Sequence, residues 1–288
     1  LLVPCHPIRV HQAIDSVVVF SGALCNIPPV HPLRPQFIDS NGMGGNMANN
    51  PLVGAWELVS DSDAGILIYT GSHCVLVGAP KNRRRSTGNQ ATPDEAVEAI
   101  RSCPAMAGTY TVSGSRITHT RIANSRAEVS GRPLFVDYSI DGNTLTYTVV
   151  SGAGTAAAGS SATFRRIGSN GVGGPLLGAW ELVNDERQGV IIFTETHCAV
   201  VQMYKNRSLP SGDQYTPEEA LEAITTCGAF SATYSVSGNT VSAERIANLR
   251  PTAVGVTGVM EFAVEGDTLN LRGVSGLPLE ETVWRKVS

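Results

Sequence analysis

A chain of 288 residues, 42% of them hydrophobic and 16% charged, has room for about two globular domains with a sizeable core each. The formal net charge of −4 gives no overall positive field for a phosphate backbone, which argues against nucleic acid as a partner. No apolar run approaches the ~18 residues of a membrane-spanning helix. We therefore expect a soluble globular protein with no membrane span.

Residues 1–46 differ in composition from the rest of the chain. They hold six of the sixteen prolines and two of the six cysteines, Cys5 and Cys25. Proline-rich segments with little periodicity seldom pack into a core, so we expect a leader or a disordered extension. A processed targeting segment, a disordered arm and an expression artefact that precedes a true start at Met43 or Met47 all stay open. The cytoplasm is the favoured location, and a cleaved leader to another compartment is the alternative.

The remainder of the chain is an internal duplication. A shift of 124 residues aligns 51–148 with 175–272 without a gap, and roughly 43 of those 98 pairs are identical. A Gly-Ser-rich stretch at 168–174 is typical of a flexible linker. The predicted domains are therefore 47–167 and 175–288.

Each copy alternates apolar and polar residues over short runs that end at Gly, Ser, Asn or Asp, the pattern of half-buried antiparallel strands. A helix is predicted at 93–103, because Thr92-Pro93-Asp94-Glu95 supplies an N-cap, a first-turn proline and a capping-box acid. Thr216-Pro217-Glu218-Glu219 repeats this signal in the second copy. The eight strands predicted in the first copy are 54–60, 65–70, 73–80, 105–112, 115–122, 133–140, 143–150 and 161–167.

Eight antiparallel strands can close into a barrel that is just wide enough for side chains or one small ligand. Both copies carry Gly-x-Trp in the first strand, Gly-x-Ile/Leu-Ile-Tyr/Phe-Thr in the second, and Thr-Pro before the helix. These motifs resemble the bacterial and fungal lipocalin-like domain family, a branch of the calycins. The resemblance implies an all-β fold of two tandem eight-stranded barrels, each with an internal cavity. We expect the short helix to form a lid at one end of each barrel.

Alternation along the fifth strand gives the first candidate site residues. If Ile117 and Val241 point inward, so do Arg121 and Arg245. An inward arginine can anchor a carboxylate, because its guanidinium presents a fixed fork of donors in a low-dielectric cavity. The alternative is that both arginines lie at the rim, solvated or paired with the acids at positions 57 and 181.

Three further residues share these predicted faces. His119 lies inward on the same strand and could act as an acid, a base or a donor, but Ala243 replaces it in the second copy. Tyr110 and Tyr234 lie on apolar faces, where they either pack in the core or direct a hydroxyl at a ligand. The candidate ligand-binding residues are therefore these two tyrosines, His119 and the two arginines.

Other motifs carry weaker signals. Cys74 and Cys103, like Cys198 and Cys227, are 29 residues apart and could form a strand-to-helix disulfide or simply pack as buried thiols. His-Cys pairs occur at 73–74 and 197–198, but neighbouring strand residues face opposite ways and no second ligand set has metal-site spacing. The Lys-Asn-Arg segments before each helix either guard the barrel mouth or form a solvated loop. We predict no metal and no cofactor.

Two functional hypotheses of different class follow. In the first, the barrels or the cleft between them bind a small hydrophobic or amphipathic molecule, possibly an anion. In the second, the chain is a cofactor-independent isomerase or cyclase that acts on a hydrophobic natural-product intermediate, because fungal Diels-Alderases also join two lipocalin-like domains. The sequence leaves open the ligand, the oligomeric state and the choice between these hypotheses.

Overall fold

The computed structural model describes residues 50–86, 88–152, 158–169, 174–276 and 280–288. In each copy eight strands pair antiparallel in sequence order, and the last strand closes on the first. The prediction of an all-β fold with two eight-stranded barrels is confirmed. The predicted leader 1–46, with its two cysteines, and most of the predicted linker lie outside the described residues. No helix in the described part of the chain is long and apolar enough to cross a membrane.

The element boundaries follow the predicted ones closely. Barrel 1 consists of β1 Gly54–Leu58, β2 Asp63–Tyr69, β3 His73–Pro80, α1 Pro93–Ser102, β4 Ala105–Ser113, β5 Arg116–Asn124, β6 Pro133–Asp141, β7 Thr144–Ser151 and β8 Ser161–Arg166. Barrel 2 consists of β9 Gly178–Leu182, β10 Arg187–Phe193, β11 His197–Tyr204, α2 Pro217–Thr225, β12 Cys227–Ser237, β13 Thr240–Asn248, β14 Gly258–Glu265, β15 Thr268–Ser275 and β16 Glu281–Lys286. A short 3-10 helix follows the fifth strand of each barrel, at Ala127–Val129 and Pro251–Ala253.

Local sequence explains where the helices begin. The Thr92 hydroxyl accepts from the Glu95 amide at 3.3 Å, while the Glu95 carboxylate accepts from the Thr92 amide at 2.8 Å. Thr216 and Glu219 form the same reciprocal capping box in the second copy. Each box satisfies N–H groups that the first turn of a helix leaves free.

A hydrophobic core between the barrels is the main feature that the sequence analysis did not foresee. On β2, Leu67 and Tyr69 point into barrel 1, whereas Ile66 and Ile68 point outward into a cluster shared with barrel 2. Val190 and Ile192 on β10 supply the matching outward face of barrel 2. These strands are buried on both faces, so the two barrels form one compact unit.

The helices belong to this shared core. Ala96, Ala99 and Ile100 of α1 pack with Ala220 and Ile224 of α2 in the inter-barrel cluster, not in a barrel interior. The predicted lid position is therefore wrong. The apolar stripe of each helix faces the neighbouring barrel and the other helix. Its small alanines allow the two helices to approach closely.

Two equivalent arginines, Arg83 and Arg207, each bond across the interface to the other barrel, and we call them the interface arginines. Arg83 Nη1 and Nη2 donate to the carbonyls of Asn248 and Leu249, at 2.5 and 2.9 Å. Arg207, the equivalent residue of the second copy, donates to the carbonyls of residues 124 and 125, both at 2.8 Å. The Lys-Asn-Arg segments therefore tie one barrel to the other. The lysine and asparagine of each segment are exposed, as in a solvated loop, but the two arginines are committed to carbonyls and are not free to attract an anion.

Candidate ligand-binding site

The interior of barrel 1 contains a buried cluster of hydroxyls around one imidazole. The Tyr69 hydroxyl lies 2.8 Å from His119 Nε2, and the Tyr147 hydroxyl lies 3.2 Å from the same nitrogen. All three side chains are at most 5% exposed. Burial lowers the pKa of His119 to about 3 and raises the pKa of both tyrosines, so the cluster is uncharged near neutral pH.

Barrel 2 replaces every member of this cluster with an apolar residue. The 124-residue shift places Phe193 at position 69, Ala243 at position 119 and Leu271 at position 147. All three belong to the hydrophobic interior of barrel 2. One barrel therefore has a polar centre, and the other is apolar throughout this layer.

Both barrels have a cavity at the same end. In barrel 1 it measures about 320 Å³ and is lined by Leu76, Met106 and Phe164, with Tyr147 and Arg121 among the polar residues. In barrel 2 two adjoining cavities of about 380 and 330 Å³ share Val200, Gln202, Phe230 and Arg250 in their linings. Cavities of this size suit small ligands.

Smaller residues accompany the larger space in barrel 2. Leu134 and Val149 line the cavity of barrel 1, and the shift places Gly258 and Gly273 at the equivalent positions. Trp284, which pairs with Leu269 as Phe164 pairs with Leu145, lines the second barrel 2 cavity. Its indole fluorescence can therefore report on what occupies that cavity.

The two predicted arginines lie at this cavity end of their barrels. Burial along β5 alternates so that Ile117, His119 and Arg121 share the inward face, as the sequence predicted. Arg121 donates to the carbonyls of Val129, at 3.1 Å, and Gly152. Arg245 donates in the same way to Ala253, at 3.2 Å, and Gly276.

Each arginine thus ties the 3-10 helix to the end of the next hairpin. Gly152 and Gly276 have positive φ, at 83° and 66°, and a Cβ at either would lie 2.2 Å from a backbone oxygen. Only glycine fits where the arginine draws these backbone segments together. The alternative of an ion pair with Glu57 or Glu181 is wrong, because Glu57 pairs with Arg165 and Glu181 with a histidine across the interface.

The mouth of barrel 2 concentrates positive charge. Arg85, Arg245 and Arg250 line it, and none of them pairs with an acid among the described residues. Arg85 donates to the Thr252 carbonyl at 3.0 Å, and Arg250 donates to carbonyls at the end of α2. Burial, helped by the charge of Arg250, lowers the pKa of Arg245 to about 10.

The mouth of barrel 1 is closer to neutral. Arg126, the counterpart of Arg250, lies 3.9 Å from Glu128, where barrel 2 has Thr252. Tyr215 from the second copy donates to Glu128 at 2.6 Å and accepts from the Ala127 amide at 3.0 Å. Leu209 stands at the position of Arg85. Each mouth is therefore bordered by a loop of the other copy, and the two loops differ in charge.

The two predicted tyrosines have their hydroxyls engaged by the fold. Tyr110 donates to the Thr70 carbonyl at 2.7 Å and accepts from Asn50, while Tyr234 donates to the Thr194 carbonyl at 2.5 Å. Neither lines the described cavities at the arginine end. Tyr69, Tyr147 and the mouth residues Arg85, Arg126 and Arg250 were not among the predicted site residues, although inward alternation on the second and seventh strands could have found the two tyrosines.

The four described cysteines are free and buried. Cys74 lies inside barrel 1 and Cys103 in the core between the barrels, so the barrel wall separates them. Cys198 and Cys227 are separated in the same way. The disulfide alternative is therefore wrong, and core packing explains these thiols. No group of three or more potential metal ligands occurs among the described residues.

No protein-family model matches the sequence, and no curated protein matches it. Among solved structures the chain is similar to a DUF3598-family protein of unknown function from Nostoc punctiforme, at 9% identity and a TM-score of 0.18 over 82% of this chain and 96% of that one. A DNA polymerase sliding clamp from Pseudomonas aeruginosa matches at 9% identity and 0.14, over 83% of this chain and 58% of the clamp. The DNA polymerase III beta subunit of Thermotoga maritima matches at 8% and 0.14, over 84% and 59%. Scores this low carry no functional argument.

Proposed function

We propose that the chain is a tandem lipocalin-like binding protein whose second barrel holds a small anionic amphiphile. The apolar part of the ligand would lie among Val200, Phe230 and Trp284, and its anionic group among the arginines at the mouth. The single observation that carries this proposal is the mouth of barrel 2, where Arg85, Arg245 and Arg250 lie beside apolar side chains and none of the three pairs with an acid among the described residues. The acid in the described linings, Glu280, already pairs with Arg187.

The uncompensated positive charge at this mouth favours an anionic head group. Three guanidiniums at one mouth repel each other, and carbonyl oxygens satisfy only some of their N–H groups. A carboxylate offers two acceptor oxygens and a full negative charge, so it would form charge-assisted hydrogen bonds with several of them. A purely apolar ligand would leave this charge uncompensated.

The barrel interior supports the proposal better than the space between the barrels. Apolar side chains of both barrels form one hydrophobic cluster there, and a cleft of about 340 Å³ lies beside it, lined by residues of both copies. The described lining of this cleft includes Glu195 and no arginine or lysine, so it does not suit an anionic group. An isomerase or cyclase that folds its substrate between the two domains remains a hypothesis, and no contact or distance in the structure favours it over binding.

The intrinsic fluorescence of Trp284 offers a direct test with decanoate and decanol as matched probes. We expect decanoate to bind the full chain and change the emission, and Arg250→Gln to weaken decanoate binding about tenfold, as the loss of one charged hydrogen bond predicts. Decanol binding should hardly change. Trp284→Phe should remove the signal, which would assign it to barrel 2.

Arg126→Gln is the matched control, since it removes the equivalent guanidinium from barrel 1, and it should leave both probes unaffected. Arg245→Gln should also weaken decanoate binding. Each of the two variants removes two hydrogen bonds to backbone carbonyls as well, so unchanged decanol binding is the control for an undisturbed mouth. An equal loss of acid and alcohol in Arg250→Gln, or a wild-type chain that binds neither probe, would contradict the proposal.

A further inference from the structure

The cavity of barrel 1 has two buried polar groups that the fold does not fully use. Its lining also includes Asn124 and Ser125, but these are committed to backbone partners: Asn124 accepts from the Arg126 amide, and the Ser125 hydroxyl bonds at positions 103 and 105. Arg126 donates to the Ile100 carbonyl and lies beside Glu128, while Ser160 and Ser161 are exposed at the mouth. Among the buried polar groups of the lining, the Tyr147 hydroxyl and the Nε of Arg121 remain.

Tyr147 competes for an acceptor that another tyrosine already occupies. A neutral imidazole has one nitrogen lone pair. The Tyr69 hydroxyl lies close to Nε2 of His119, whereas the Tyr147 hydroxyl lies 3.2 Å from Nε2 and 3.3 Å from Nδ1, so it is centred on neither nitrogen. Tyr69 is closer, at 2.8 Å against 3.2 Å, and only Tyr147 of the three lines the cavity. Its hydroxyl hydrogen is therefore the one that a ligand oxygen can take at least cost to the cluster.

Arg121 supplies the second donor. Its two terminal nitrogens bond to the carbonyls of Val129 and Gly152, but its Nε is buried and has no hydrogen-bond partner. The residue is 3% exposed and lines the same cavity as Tyr147. An unpaired buried donor is costly, and an acceptor oxygen of a ligand would remove that cost.

The surroundings favour an acceptor oxygen without a full charge. Glu128 already contributes a negative charge beside Arg126 at this mouth. The residue of the second copy that corresponds to Arg85 is Leu209, which is uncharged. The rest of the lining includes Leu76, Met106 and Phe164, which suit an alkyl or ring system. A ketone or aldehyde oxygen accepts two hydrogen bonds without the desolvation cost of a carboxylate.

We propose that barrel 1 is a second ligand site, distinct from the anion site of barrel 2. It takes an uncharged ketone or aldehyde whose carbonyl oxygen accepts from the Tyr147 hydroxyl and from Arg121 Nε. Barrel 2 lacks the equivalent hydroxyl, because Leu271 occupies the position of Tyr147. This inference does not rest on the proposed anion site and can hold or fail independently of it.

The test uses 2-decanone labelled with ¹³C at the carbonyl, with decane as the probe that lacks the oxygen. In the full chain we expect a bound carbonyl resonance shifted in the direction of stronger hydrogen bonding. Tyr147→Phe should abolish most of that shift and weaken 2-decanone binding about two- to tenfold, the range for one neutral hydrogen bond. Decane binding should not weaken.

Tyr138→Phe is the matched control, because it removes a tyrosine hydroxyl from the same barrel outside the described cavity lining. Decanoate binding, read from Trp284, should be the same in Tyr147→Phe as in wild type. If Tyr147→Phe does not fold, Tyr147→Leu copies the residue of barrel 2 and serves instead. An unchanged carbonyl resonance in the variant, equal weakening of ketone and decane, or stronger decanoate than ketone binding in barrel 1 would overturn the inference.

Discussion

Barrel 1 and barrel 2 share their strands, their capped helix and the arginine that ties the 3-10 helix to the next hairpin, yet they differ in the layer beneath the cavity. Barrel 1 has Tyr69, His119 and Tyr147 there, and barrel 2 has three apolar residues. The shared features fix the backbone, because caps, turns and the arginine act on main-chain groups. The differing layer consists of side chains inside the barrel, so it can change what each barrel holds while the backbone frame stays the same.

Among the features that both barrels share, the tryptophan of the first strand has the largest expected effect on stability. Trp56 and Trp180 are fully buried, and each indole N–H donates at 2.8 Å to the carbonyl of the leucine four residues earlier. Trp56→Ala and Trp180→Ala should each lower the free energy of unfolding by ~3–5 kcal/mol, through lost burial and the cavity left behind. Equilibrium denaturation would measure both.

Because both barrels share one core, we expect a single unfolding transition for either tryptophan variant, whichever barrel carries the change. Two separate transitions would show that the barrels unfold independently and that the inter-barrel cluster contributes little. A cost for one tryptophan but not for the other would show that the frames are less alike than their geometry indicates.

His119 gives the next largest effect, and only in barrel 1. Burial holds its pKa at about 3, below the ordinary value of 6.5. Between these values the unfolded chain binds a proton that the folded chain does not, so stability is complete above pH 6.5 and is lost as the pH falls. The expected loss is about 1.4 kcal/mol per pH unit, or about 2–3 kcal/mol between pH 6.5 and 4.5.

His119→Ala, which copies barrel 2, should make the free energy of unfolding fall less steeply over that range. The comparison uses slopes, since the variant also leaves a cavity that lowers stability at every pH. Between pH 7 and 8 the two curves should run parallel. Identical slopes below pH 6.5 would mean that His119 is protonated in the folded chain, and the neutral cluster would then be wrong.

The smallest expected effect on stability concerns the interface arginines, Arg83 and Arg207. Arg83→Met and Arg207→Met should each cost about 1–2 kcal/mol of stability or somewhat more, because each removes two hydrogen bonds to the other barrel from a half-buried charged group. Arg207→Met should cost more than Arg83→Met, since Arg207 also donates to the Thr226 hydroxyl and the Ala223 carbonyl. Arg84→Met, an exposed neighbour, should cost almost nothing. A loss near zero for either arginine would show that its hydrogen bonds to the other barrel contribute little to stability.

Much of the fold was predictable from sequence because its signals are local. The capping box at Thr92, the glycine turns and the two-residue alternation each act within a few positions, so strand and helix boundaries agree with the structure to within a few residues. The inward direction of Arg121 followed from the same alternation. Duplication added confidence, since every signal occurred twice.

The misses concern contacts between distant parts of the chain. The outward contacts of Ile66 and Ile68 were not predicted, although an unbroken apolar run on β2 and β3 is typical of strands buried on both faces. That pattern could have predicted the inter-barrel core and therefore the true position of the helices. The partners of Arg83 could not have been predicted, because nothing near position 83 indicates carbonyls some 165 residues away.

The interface arginines also bear on the evolutionary origin of the duplicated chain. When residue 83 of one copy contacts residues 248 and 249, and residue 207 contacts 124 and 125, the contact is the same one made twice around an approximate two-fold axis. A symmetric homodimer of single barrels makes contacts of this kind. In such a dimer both mouths must be identical, because one gene encodes both bordering loops. Joining the copies in one chain removes that constraint, so Arg85 and Leu209, or Thr252 and Glu128, could diverge while the interface stayed paired.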